Sequence, residues 1–261
     1  MRTDPPRTDD LARWWDEFHL AAGFLTRLPL GPGGAEPAGP LAQASWAFPF
    51  VGLVVGLIGG FVYSLAAWLG LPALAAALLA VAATALATGA LHEDGLADVA
   101  DGFGGGADRA AKLAIMRDSR SGAFGVLALV LSVGLRAAAL AALGDGGRVT
   151  AALVAAHALA RGLLPLVLRA LEPARSDGLG SSAGRPEAAN AWAAAGFGAL
   201  IALFALDWWR GIAAIVLAAL ATGLFSHIAR RQIGGYTGDV LGAIEQGGEI
   251  IVMLTAAAWA S

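Results

Sequence analysis

The stretch "LPALAAALLAVAATALATGALHEDGLADVADGFGG", Leu71 to Gly105, carries no charge as far as Leu91. It then places His92, Glu93, Asp94, Asp98 and Asp101 in quick succession. An uncharged run of about 20 residues is what a helix needs to cross the hydrocarbon core of a bilayer. The acids that end it have two readings: a solvated loop, or a metal site held at the edge of a membrane.

The rest of the chain decides for the membrane. Of 261 residues, 57% are hydrophobic and only 14% charged, and the mean hydropathy is +0.68. Soluble domains carry about a quarter charged residues. Apolar runs of spanning length fall at about 46–69, 73–91, 123–143, 150–171, 188–206, 209–228 and 238–259. The expected fold class is all-α, a polytopic membrane helical bundle of about seven transmembrane helices, with 36 glycines and many alanines suited to close helix packing in lipid. Residues 1–20 are expected to form a disordered or amphipathic cytoplasmic segment with Trp14 and Trp15 at the interface, and residues 21–261 the integral membrane domain. The polar N-terminus has no apolar signal-peptide core. A net charge of -3 speaks against nucleic acid as a partner. With no cysteine, disulfides, zinc–thiolate centres and thiol nucleophiles are excluded.

Basic residues set the orientation. Arg2, Arg7, Arg13, Arg27, Arg109, Lys112, Arg117, Arg120, Arg169, Arg175, Arg185, Arg230 and Arg231 fall on one side of the seven runs. Only Arg148 and Arg210 fall on the other, and Arg136 and Arg161 complete the 17 from inside spans. The N-terminus is therefore expected in the cytoplasm and the C-terminus outside, as for a multi-pass protein of the cell (inner) membrane. Every polar cluster lies on that same cytoplasmic side: the acidic stretch, "IMRDSRSGAFG" (Ile115–Gly125), "RSDGLGSSAGR" (Arg175–Arg185) and "GGYTGD" (Gly234–Asp239). A transporter would gather its polar groups near mid-membrane around broken helices. This pattern reads instead as an enzyme working at one face.

In a helix, Asp94, Asp98 and Asp101 lie at roughly 0°, 40° and -20°, so the three carboxylates share a face and His92 and Glu93 lie off it. Three anions so close call for a cation, and oxygen-only ligands favour magnesium or manganese. Gly95 and the run Gly102, Gly104, Gly105, Gly106 would let a backbone approach phosphate closely. Arg117 and Arg120 supply guanidinium groups nearby, suited to bidentate phosphate contact, and otherwise serve as anchors of the positive-inside kind. Acids for a metal and arginines for phosphates in one loop are what phosphoryl transfer requires. Within the spans, His157 and Arg161 stand one turn apart, as do Glu245 and Glu249. Arg161 with Glu249 forms a structural ion pair, or Glu249 faces a substrate cavity. The glycines of "GGYTGD" at the same mouth favour the cavity.

Six motifs stand in order along the chain: "FLTRLPL" (Phe24–Leu30), "FPFVGLVVG" (Phe48–Gly56), "HEDGLADVADG" (His92–Gly102), "IMRDSRSGAFG", "DGLG" (Asp177–Gly180) and "GGYTGDVLGA" (Gly234–Ala243). Together they resemble the cobalamin synthase family, the adenosylcobinamide-GDP ribazoletransferases. The resemblance implies an integral membrane enzyme with magnesium as cofactor. It would join adenosylcobinamide-GDP to α-ribazole or its 5′-phosphate and release GMP. Asp94, Asp98, Asp101 and Asp239 are then the expected metal ligands, and Asp98, Asp101 or Asp118 the proton acceptor. Arg27, His92, Gly95, Arg117, Arg120, Arg161 and Glu249 are the expected substrate contacts. The chain departs from the pattern at Gln246, where an acid is expected and Glu245 stands one residue earlier. Subunit number stays open, with room for a homo-oligomer. A CDP-alcohol phosphotransferase is the alternative enzyme class, but Gly95 is followed by Leu96-Ala97-Asp98 in place of that family's Ala-Arg pair. A cation or metabolite transporter is the alternative outside enzymes.

Overall fold

The structure is a computed structural model that describes residues 8–29, 41–175 and 183–258. Its helices are α1 (Thr8–Leu25), α2 (Leu41–Ala44), α3 (Phe48–Trp68), α4 (Ala73–Thr88), α5 (Leu91–Gly105), α6 (Arg109–Ile115), α7 (Ala123–Leu143), α8 (Gly146–Ala170), α9 (Ala188–Ala205), α10 (Trp208–Ile233) and α11 (Gly238–Ala257). Among the described residues there is no strand, only a bridge between Pro173 and Tyr236 that ties two loops together. The bundle is all-α, as the composition requires.

Helix α8 is the axis of the bundle. Small residues let its neighbours close on it: an added Cβ at Gly52 would lie 2.2 Å from the carbonyl of His157, and one at Gly56 2.6 Å from the Cα of Val154. Gly52, Gly56 and Gly60 recur every fourth residue on α3, the spacing that lets two helices in lipid touch backbone to backbone. Gly198 and Gly162 do the same between α9 and α8. These contacts also fix direction. Gly52 meets the middle of α8, at His157, and Ser64, later on α3, meets Gly146 at the start of α8, so α3 and α8 run antiparallel.

The two ends of the bundle can then be followed along the chain. Helix α7 ends two residues before α8 begins, at the end of the bundle where α3 finishes. Helix α7 must therefore start at the opposite end, and the segment between α3 and α7 makes one net pass. That segment is broken. Helix α4 has 16 residues, or about 24 Å of rise, short of a full hydrocarbon thickness, and α5 leaves it at 93°. Gly89 and Ala90 make the bend, both left-handed with φ of 66° and 56°. Helix α5 then carries the chain on until Asp101 meets Gly122 at the foot of α7. Among the described residues six helices are each long and apolar enough to cross a membrane, and there are seven passes when the bent pair counts as one span. Helices α1 and α2 and the starts of α3, α7, α9 and α11 share one end. Ala258 accepts from Arg210 at the other. Exposed Trp14, Trp15 and Trp192 mark the first end, and exposed Trp68, Trp208 and Trp209 the second, as interfacial aromatic belts do.

The observed helices match the apolar runs to within a few residues, with two differences. The run at 73–91 is a short helix that stops at a bend, and α10 continues to Ile233 because its last turns lie in the polar end of the bundle. Helix α1 passes through residue 20 without a break, with Leu11, Trp14 and Trp15 exposed and Ala21, Ala22 and Leu25 buried.

Candidate active site

A cavity of about 320 Å³ opens between the ends of α1, α3, α5, α8 and α11, at the end of the bundle that carries most of the basic residues. Its polar lining is His92 and Asp94 from α5, Asp239 from the first turn of α11, and Arg175 from the loop after α8. Thr237 caps α11, its hydroxyl accepting the N–H of Val240 at 3.2 Å, and this sets Asp239 at the helix mouth. Arg175 donates to Asp239 at 3.3 Å, and its Nη1 is buried without a hydrogen-bond partner.

Glycines bring the two acid-bearing helices together. A Cβ at Gly95 would lie 2.7 Å from the carbonyl oxygen of Asp239, and one at Gly242 would lie 3.1 Å from the Cα of His92. The room that Gly95 leaves is thus taken by α11, not by a ligand. Gly102, Gly104 and Gly106 likewise admit Met116, Phe124 and Lys112, so the expected phosphate cradle is a packing seam. Across the α5–α11 crossing, Asp98 lies in electrostatic reach of Asp94, Asp239, Asp101 and Arg175. Asp101 shares the helical face but stands about 10 Å further along the axis than Asp94. Its two carboxylate oxygens accept the backbone N–H groups of Gly122 at 2.6 Å and Gly125 at 2.9 Å, capping the start of α7.

Beneath the cavity lies a buried polar network. Arg161 donates to Glu249 at 2.9 Å and touches Glu245, and it stands 3.4 Å from Nδ1 of His92. Arg136 donates to Glu93 and to Glu249, each at 3.2 Å. His157 contacts Glu249, and Gln246 joins Ser132 to Glu245. Glu249, Arg161 and Arg136 are fully buried and line no part of the cavity, in contrast to the cavity-facing expectation for Glu249. Buried charges in this position hold one another, because each is nearly or fully out of reach of bulk solvent. Among the described residues, His157, Glu245 and Glu249 are the trio whose ligand atoms converge within 4.8 Å. The guanidinium of Arg161 already sits against both carboxylates, so a metal does not fit there. Asp94, Asp98 and Asp239 lie outside that convergence, and they suit a divalent cation such as magnesium by donor chemistry alone, as hard oxygen ligands.

The remaining expected contacts lie elsewhere. Arg117 and Arg120 are exposed on the loop before α7. Arg120 chelates Asp118 at 2.6 Å and holds its carboxyl down at about 2. Asp118 therefore stays ionised over the whole physiological range and is a weak proton acceptor. Arg27 is exposed, with its side chain laid over Gly89 at the α4–α5 bend. The "DGLG" motif falls within residues 176–182, outside the described residues. Sequence reasoning missed Arg175 as a site residue, although it directly precedes that motif. It also missed Glu93, whose position off the acidic face is what turns it inward to Arg136.

The chain matches the family described as cobalamin-5-phosphate synthase over residues 17–257. The chain belongs to the cobalamin-5-phosphate synthase family. A protein of Bradyrhizobium diazoefficiens named adenosylcobinamide-GDP ribazoletransferase is 49% identical over 97% of this chain and 98% of its own length. One of the same name from Mesorhizobium japonicum is 49% identical over 92% of each chain. Another, from Azorhizobium caulinodans, is 44% identical over 90% of this chain and 92% of its own. No solved structure matches. The cobalamin-5-phosphate synthase match spans α1 through α11, so the cavity and the buried network both belong to the family's framework.

Proposed function

We propose that the protein is an adenosylcobinamide-GDP ribazoletransferase working at the cytoplasmic face of the cell (inner) membrane. It joins adenosylcobinamide-GDP to α-ribazole or its 5′-phosphate and releases GMP. The observation that carries this reading is the cavity, where Asp94, Asp239 and Arg175 converge at the basic end of a seven-pass bundle. The identity with proteins named for this activity supports it along nearly the whole chain.

Asp94, Asp98 and Asp239 would hold magnesium, which would supply charge neutralisation at the diphosphate of the donor. Arg175 pairs with Asp239 and has an Nη1 free to donate to a phosphate oxygen, which orients the diphosphate. The attacking ribazole hydroxyl loses its proton to a carboxylate of this group, which we assign to Asp98, the acid in electrostatic reach of Asp94, Asp101 and Asp239. The phosphorus attached to cobinamide gains the ribazole oxygen and loses GMP. Asp101 acts one step back, fixing α5 to the foot of α7. The apolar lining of the cavity excludes water that would compete with the nucleoside hydroxyl.

Purified protein in detergent with adenosylcobinamide-GDP and α-ribazole tests the proposal. GMP and a corrinoid carrying the ribazole should form together, and stop when magnesium is chelated. GMP formed without the joined corrinoid, or no GMP at all, would overturn it.

A further inference from the structure

The cavity is divided chemically. His92, Asp94, Arg175 and Asp239 make one edge, where α5 meets α11, and the rest of the lining is apolar, with Phe24, Phe48, Leu164 and Leu168 among it. Leu164 and Leu168 stand one turn apart on α8 and are 3% exposed. Helix α8 is the most buried of the spanning helices, so this wall is held by the core of the bundle and not by a surface loop.

We propose that the apolar wall seats the flat two-ring base of the nucleoside acceptor, while the polar edge faces the donor's diphosphate. This rests on the ribazoletransferase reading above. Size decides which reactant enters. A cavity of about 320 Å³ lies at the small end of the range for small-molecule sites, roughly 300–1,000 Å³. A nucleoside is of that size, whereas a corrinoid bearing a nucleotide is several times larger. The donor therefore presents only its diphosphate at the polar edge, and its corrin ring stays at the mouth. Chemistry agrees with size. A benzimidazole-type base has no charge to pair and gains most from leaving water for aromatic and aliphatic side chains. The ribose hydroxyls, at its other end, come to the acids. One cavity thus aligns the attacking oxygen with the phosphorus by holding each end of the acceptor in the medium that suits it.

Equilibrium dialysis of α-ribazole against the full chain in detergent, without magnesium and without donor, tests the seat apart from the chemistry. The wild type should bind, because an apolar seat needs no metal. Leu168→Trp fills the cavity and should weaken binding by about tenfold or more. In turnover it should raise KM for α-ribazole by a similar factor and leave KM for adenosylcobinamide-GDP unchanged. Leu164→Ala, a milder change that keeps the fold should Leu168→Trp disrupt it, should weaken α-ribazole binding in the same direction. Asp239→Asn should lower turnover far more than it weakens α-ribazole binding. Three results would overturn the seat: an increase in the donor's KM alone, unchanged nucleoside binding in both wall variants, or loss of nucleoside binding to added phospholipid in a competitive manner, which would make the wall an acyl-chain groove. A wild type that binds α-ribazole but releases no GMP from the donor would sink the activity and leave the seat standing. A wild type that turns over while the wall variants change nothing would sink only the seat.

Discussion

Arg136 and Arg161 share one buried space with Glu93, Glu245 and Glu249, and each arginine contacts two of the acids, with Glu249 common to both. Three carboxylates against two guanidinium groups make the arginines the scarcer charge. Arg161→Gln would leave three acids facing one cation, and removing a partner from a buried pair costs about 3–5 kcal/mol. Glu249→Gln would leave two of each sign, so its cost should be smaller, about 1–3 kcal/mol from donors that lose an acceptor. The melting temperature in detergent should fall further for Arg161→Gln than for Glu249→Gln, and adding Glu249→Gln to Arg161→Gln should recover part of the loss. The reverse order would show that Glu249 does not sit at the shared position. The cavity acids behave differently. Asp94→Asn and Asp239→Asn should abolish turnover at little cost in melting temperature, because each removes one of several like charges. Asp118→Asn should leave turnover nearly unchanged, since an exposed carboxylate held at about 2 by Arg120 neither lines the cavity nor takes up protons near neutral pH. At this scale the sequence showed the Glu245–Glu249 and His157–Arg161 spacings, because one helical turn is visible in a string of letters. It could not show that Glu93 reaches Arg136, a contact between residues 43 apart on different helices.

Between elements, the decisive geometry is the crossing of α5 and α11, and glycine controls it. Gly95→Ala would place a methyl carbon 2.7 Å from the backbone oxygen of Asp239, where nothing flexible can yield. The helices must part, and overpacking of this kind costs about 1–3 kcal/mol. Asp239 would then leave Asp94 and Asp98. Gly95→Ala should therefore reduce kcat far more than an equally destabilising change at the remote Gly198, with α-ribazole binding less affected than turnover. Equal losses at equal stability would mean that the crossing does not position the acids. The helical face of Asp94, Asp98 and Asp101 was legible because α5 is regular. What followed from it was not, since a shared angle says nothing of distance along the axis, and Asp101 lies far enough along to cap α7 instead. The bend that starts α5 was also hidden. Ala90 adopts a left-handed φ of 56° that no residue type announces, and a straight span through 91 was the natural reading of an uninterrupted apolar run.

For the whole molecule, seven apolar runs and the lopsided basic residues were legible because the bilayer demands length and the cell demands charge asymmetry, and both are written locally. Which runs neighbour α8 was not, because the glycines of α3 and α9 identify their partner only once the helices are packed. The packed structure makes the orientation a sharper test than charge alone. Helices α3 and α7 both finish where α8 begins, so the bent α4–α5 pair must carry the chain across once, and α1 and the end of α11 lie at opposite ends of the bundle. The end holding α1 and the cavity carries the basic residues, and the proposed orientation sets that end in the cytoplasm. A periplasmic reporter such as alkaline phosphatase fused after Ser261 should be active, and the same reporter placed in the α5–α6 loop near Asp108 should be silent. A fusion in the Gly144–Asp145 turn between α7 and α8 should be active, since both of its helices end on the external side. If the reporter were silent after Ser261 but active at Gly144, α11 would not complete its crossing. If it were active near Asp108, α4 and α5 would form a re-entrant hairpin, the acids would face outward, and adenosylcobinamide-GDP in the cytoplasm could not reach them.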